Sequence, residues 1–144
     1  MVINISVDMD MGATMEMLAG MSARASNFRP IFWLAQKELE LANTANFTAH
    51  GLPSGGWAPR QRPETWPIMK RSGALFSSLS NLRGPPNDIG NKTAIFGTNI
   101  KYAGFHQHGT TNLPKRLVVF EPVGFGLGLA VAAAEYIADG ILPS

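Results

Sequence analysis

The sequence predicts an α+β domain: a small antiparallel sheet packed against a long N-terminal helix, with an Ala/Gly-rich helix near the C-terminal end. Three observations predict it. Residues 29–47 carry apolar side chains at helical spacing, with Ile31, Leu34, Leu41 and Ala45 on one stripe. Residues 2–8, 92–97 and 117–120 are short runs with strand character, set apart by Gly, Pro and Asn. Residues 127–138 are Ala-rich and are followed by Gly140, a helix terminator.

The first run, VINISVD, alternates apolar and polar residues and reads as a half-buried strand, with Asp8 or Asp10 as a helix cap after it. Residues 11–25 are rich in Met, Ala and Leu, with Met11, Met15, Leu18 and Ser22 on one face. The expectation is that these methionines fill an irregular contact between helix and sheet. Asn27 stands at a cap position and Pro30 in a first turn, opening the long helix. Trp33 and Leu39 flank its apolar stripe, and Gln36, Lys37, Glu38, Glu40 and Asn43 face away.

Residues 48–67 hold four prolines and two tryptophans, Trp57 and Trp66, and read as a long surface loop. Bare tryptophans are costly, so they either fold back on the domain or dock on a neighbour. The segment after Ser72-Gly73 is a short helix, or a turn into a strand near residues 76–82. A Gly-Pro-Pro-Asn-Asp break at residues 84–88 ends it. Residues 92–97 then form a strand pairing antiparallel with the segment before the break. Asn99 caps a short helix with Tyr102, Ala103, His106 and Gln107, closed by Gly109. Residues 117–120, LVVF, read as a buried strand.

At 144 residues the chain is expected to be one domain, 1–144, large enough to bury a core without metals or disulfides. Only 15% of residues are charged, against eight Phe and three Trp, which points to surface hidden in an assembly. A net charge of +2 is not the footprint of a protein that neutralises many phosphates. With no cysteine, disulfides, thiolate catalysis and Cys-type zinc sites are excluded. No signal-peptide pattern opens the chain, and the apolar stretch 124–137 is too short for a bilayer and carries Glu135. The expectation is synthesis in the cytoplasm and no membrane partner.

Chemistry is sparse. His106 and His108 are two apart, a spacing that shares a face on a strand but not on a helix, and a zinc site needs a third ligand. Glu38 and Glu40 likewise do not share a helix face. Ser54-Gly55-Gly56 lacks the frame of a nucleophile elbow. Gly124, Gly126 and Gly128 match no phosphate-loop pattern and read as a bend. No catalytic, cofactor-binding or metal site is assigned.

The order of motifs resembles one family. Trp66-Pro67, the segment SGALFSS at residues 72–78, Tyr102-Ala103 followed by His106-Gln107 and Gly109, and Pro114-Lys115-Arg116 before an apolar run are similar to the virion morphogenesis or tail-completion (neck) proteins of tailed phages. Ser72 stands where that family has Thr, and Leu117-Val118 where it has Pro-Phe. The resemblance implies a non-enzymatic virion protein that completes the tail and helps join it to the head. It implies a self-assembled ring, usually sixfold, beside connector or stopper, terminator and tail-tube proteins, with DNA only as lumen content. Trp57, Arg60, Arg62, Trp66, His108, Lys115 and Arg116 are then the expected interface. Tyr102 would pack in the core, His106 and Gln107 would bond the loop backbone, and Gly109 would make a left-handed turn. A tail terminator or head-closure protein is the nearest alternative. Readings of another class are a nucleic-acid-binding module using Arg60, Arg62, Lys70, Arg71, Lys115 and Arg116, and a metal-dependent hydrolase on His106 and His108.

Overall fold

In the computed structural model, which describes residues 11–142, the chain is mostly helical. Within those residues it forms five α-helices and one two-stranded antiparallel sheet, an arrangement compatible with the α+β class. The expected strand at residues 2–8 and the Asp8 and Asp10 caps lie outside the described residues.

Helix α1 (Met11–Ala25) is built from good helix formers, yet none of its residues is buried. It lies against α5 (Phe125–Asp139), not against the sheet as its methionines suggested. Met11, Met15, Met17 and Leu18 are each more than half exposed. Arg24 ties the pair together: its Nε donates to the Ile137 carbonyl and an Nη to the Ala138 carbonyl, both at 2.8 Å. Those carbonyls belong to the last turn of α5, where no intrahelical donor remains, so a cation there both bonds and complements the helix dipole. Gly140, at φ 73°, ends α5 and returns its N–H to Tyr136 at 2.9 Å.

Helix α2 (Arg29–Thr48) has Phe28, not Asn27, at its N-cap and no side-chain cap; Asn27 Oδ1 accepts the Arg29 N–H at 3.2 Å from one residue further out, and Pro30 falls in the first turn, where no N–H is needed. Its buried residues are Ile31, Ala35, Asn43, Asn46 and Phe47. The buried stripe is therefore rotated from the one the apolar pattern indicated; Leu41, Ala45 and Trp33 are exposed. The polar residues expected to face away do not all do so. Asn43 Nδ2 donates to the Leu79 carbonyl (2.9 Å), Glu40 Oε1 accepts the Leu82 N–H (2.9 Å), and Gln36 Nε2 donates to the Leu82 carbonyl (2.8 Å). The first bond satisfies a carbonyl in the last turn of the short helix α3 (Ala74–Ser80), which has no helical partner, and the other two hold Leu82 just beyond its end.

The core forms where α2 meets α3: Phe47, Trp57, Leu75, Leu79, Leu82, Ala103 and Val118. Phe47 touches Trp57 edge-on, with ring centres 5.1 Å apart, and Phe76 at 5.4 Å. Trp57 thus takes the first of its two alternatives and folds back onto the domain, leaving 8% of its surface exposed. It can do so because the chain after α2 turns through Gly51, at φ 81°, into a single 3-10 turn (Leu52–Ser54). A side chain on Gly51 would collide with the indole.

The sheet is small. Strand β1 (Asp88–Ile89) pairs antiparallel with β2 (Ala94–Ile95), placing Asp88 opposite Ile95 and Ile89 opposite Ala94. The partner of β2 lies after the proline break, not before it, because the segment before it has coiled into α3. Helix α4 (Lys101–His108) has Ile100 at its N-cap, with no side-chain cap from Asn99. Thr98 Oγ1 instead accepts the Ile100 N–H and bonds the Ser78 hydroxyl at 2.7 Å.

Residues 117–120 do not form the expected strand. Buried backbone must still find partners, and here side chains provide them. The Leu117 carbonyl accepts from Trp57 Nε1 (2.7 Å), Asn46 Nδ2 (3.1 Å) and Ser54 Oγ (3.2 Å). Gln107 Oε1 accepts the N–H groups of Val118 (2.9 Å) and Val119 (3.0 Å), and its Nε2 donates to the Val119 carbonyl at 2.7 Å. A neighbouring strand would be redundant.

Candidate functional site

The residues singled out in the sequence divide between two places. The first is the clamp just described. Helix α4 presents Gln107 to the backbone of residues 118 and 119, while the His106 carbonyl accepts the Arg116 N–H at 2.7 Å. Gly109 lies between them with φ 74° and ψ 167°, a region open essentially to glycine alone and not the left-handed turn expected there. A Cβ at Gly109 would also sit 3.0 Å from the Lys115 nitrogen. Gln107 and Gly109 therefore hold the loop 110–115 against α4.

The second is a cavity of about 440 Å³ between α4 and the irregular chain 58–72. Arg60, Trp66, Tyr102, His106 and Arg116 line it, together with Arg71, Met69, Ile68, Ser72 and Glu64. Tyr102 is here and not in the core: it is 41% exposed and stands edge-on to His106, ring centres 6.3 Å apart. The guanidinium carbons of Arg60 and Arg71 lie 5.7 and 5.3 Å from the centre of the Trp66 ring, within cation–π range. Arg116 is buried, at 7% exposure; its Nε donates to the Ala58 carbonyl (2.9 Å) and an Nη to that of Pro59 (3.1 Å).

The electrostatics of this cavity are unbalanced. Among the described residues, Glu64 is the only carboxylate in the lining, against three guanidinium groups. Burial pushes the Arg116 pKa down, and the charge of Arg60 pushes it further. Burial likewise lowers the pKa of His106, with Arg116 adding to the effect, so the imidazole is held neutral. The Nδ1 of His106 is buried without a hydrogen-bond partner.

Of the expected interface residues, Trp57 is in the core, Arg60, Trp66 and Arg116 are in the cavity wall, and Arg62, His108 and Lys115 are exposed outside it. His106 and His108 sit on one helix at a spacing that separates them, and among the described residues no three acidic or histidine side chains gather as metal ligands. Glu64, Met69 and Ser72 were not legible as site residues. The Met69 backbone has a φ of 64°, unusual for a residue with a side chain, and the sequence around it carries no sign of this.

A third feature has no local motif. Helix α5 is apolar nearly all round, with Glu135 and Asp139 its only charges, yet only Ala132 is buried among its residues. Leu127 and Val131 are exposed on it, as Met11, Met15, Met17 and Leu18 are on the neighbouring α1. No helix of the described residues is long and apolar enough to cross a membrane. Comparison with family models, curated proteins and solved structures finds no match to this chain.

Proposed function

We propose that this chain is a structural protein of a phage virion, a ring subunit at the neck or tail end that completes the tail and helps join it to the head. The observation that carries the reading is α5: an apolar helix needs cover, yet among the described residues only Ala132 of it is buried, and Leu127 and Val131 are at least half exposed. The occupant we assign to that face is a second copy of the chain. A ring requires a heterologous contact, in which one patch meets a different patch on the next copy. The α1–α5 layer supplies one patch. Trp33 (58% exposed) and Leu41 (63%) supply the other, on the side of α2 opposite its buried stripe.

Surface area supports this reading. The accessible surface is 9948 Å², about 2,700 Å² more than the roughly 7,200 Å² of a compact monomer of 15.5 kDa.

Light scattering on the purified protein tests the proposal. The expected mass is several times that of the single chain, falling to the single-chain mass in a Met15→Glu, Leu127→Glu variant with unchanged circular dichroism. A protein that stays monomeric at every concentration, and is missing from purified particles of the phage encoding it, overturns the reading.

A further inference from the structure

The cavity beside α4 holds charge that the ring reading does not use. Among the described residues, three guanidinium groups, those of Arg60, Arg71 and Arg116, line one space with the single carboxylate of Glu64. Two positive charges are left uncompensated. Clustering like charges disfavours the fold unless something offsets it, and here the chain holds the cluster in place. Arg116 is anchored by the Ala58 and Pro59 carbonyls, and Arg60 and Arg71 both rest against the Trp66 ring. His106 also lines the cavity, and its Nδ1 is buried with no hydrogen-bond partner among the described residues.

We propose that this cavity binds a phosphate monoester, with the dianionic head held by Arg60, Arg71 and Arg116. The charge selects the head: a monoester carries close to two negative charges near neutral pH, matching the surplus, whereas a carboxylate or a phosphodiester carries one. The geometry of guanidinium suits it, because the planar fork donates in pairs to phosphate oxygens. Volume selects the rest of the ligand. At about 440 Å³ the cavity is larger than a phosphate requires and falls in the range of small-molecule sites. Trp66, Tyr102 and Met69 give it an apolar wall, so the phosphate is borne on a ring-bearing group such as a nucleoside. The Tyr102 ring, edge-on to His106, is placed to meet that group.

The test uses the intact protein and three probes at matched ionic strength: dAMP, deoxyadenosine, and the dinucleoside phosphodiester dApdA. Thermal melting and tryptophan fluorescence are followed against probe concentration. The expected result is a saturable rise in Tm with dAMP, with deoxyadenosine and dApdA at least about tenfold weaker, as loss of charge-assisted hydrogen bonds demands. The Arg60→Gln, Arg71→Gln variant should keep its circular dichroism and lose the dAMP response by a similar factor. Arg71→Gln alone, at an exposed position, provides a variant that keeps the fold if the double change does not. Equal responses to dAMP and deoxyadenosine, a stronger response to the diester, no saturable response, or a dAMP response unchanged in Arg71→Gln would each overturn the proposal.

Discussion

Replacing Gln107 with Met removes the clamp on residues 118 and 119 while nearly preserving volume, so the change isolates hydrogen bonding from packing. Three bonds are lost: two accepted by Oε1, at 2.9 and 3.0 Å, and one donated by Nε2 at 2.7 Å. They are not equivalent. Val118 is fully buried, so its N–H would be left without water; a buried unpaired donor costs about 1–3 kcal/mol. Val119 is 41% exposed, and water can replace its two bonds, which leaves roughly 0.5 kcal/mol for each. The sum is about 2–4 kcal/mol, a large part of the 5–15 kcal/mol typical of a domain. With a urea slope near 1.5 kcal/mol/M, the unfolding midpoint should fall by about 1.3–2.7 M with the slope unchanged. His108→Met, one residue on and exposed, is the control and should stay within about 0.5 kcal/mol. A Gln107→Met midpoint indistinguishable from that of the control would refute the claim that side chains replace strand pairing at residues 117–120.

Two further outcomes follow from the same core. Gly51→Ala should destabilise the protein by about 2–4 kcal/mol in denaturant unfolding, because the new methyl strikes the Trp57 indole at a backbone φ of 81°; a loss below about 0.5 kcal/mol would show that Trp57 is not seated there. Burial and Arg116 lower the native pKa of His106 below its ordinary value of 6.5, so the native state resists protonation while the unfolded state does not. The His106 contribution to stability should therefore be full above pH 6.5 and decline as pH falls from there through the lowered native value. His106→Gln should flatten that part of the profile, measured as unfolding free energy at a series of pH values, and identical profiles would contradict the assignment.

Helix positions were legible in the sequence because they follow from local chemistry. Residues 11–25, the span from residue 29 and the Ala-rich run ending at Gly140 coincide with α1, α2 and α5 to within two residues. Capping groups and propensity act over one turn, and a sequence displays one turn directly. Of the pair expected to bond backbone, Gln107 does so through its side chain, whereas His106 offers only its carbonyl, to the Arg116 N–H. The faces of the helices were less legible. Gln36, Glu40 and Asn43 look solvent-facing in any apolar pattern, yet each meets backbone at or just beyond the end of α3. A polar side chain satisfied by water and one satisfied by a carbonyl have the same spelling.

The tertiary structure decided what the β-branched run at residues 117–120 would become. Its composition favours a strand, but β propensity expresses packing against neighbours more than backbone preference. Trp57, Asn46, Ser54 and Gln107, up to 71 residues away in sequence, satisfy its backbone first. The cationic cavity arises in the same way, from Arg60, Arg71 and Arg116 brought together across the fold. Sequence by itself determined where this chain coils and where it turns, since those choices close within a few residues. Only the folded chain determined which groups share a space, because burial and charge depend on distances that residue order does not encode.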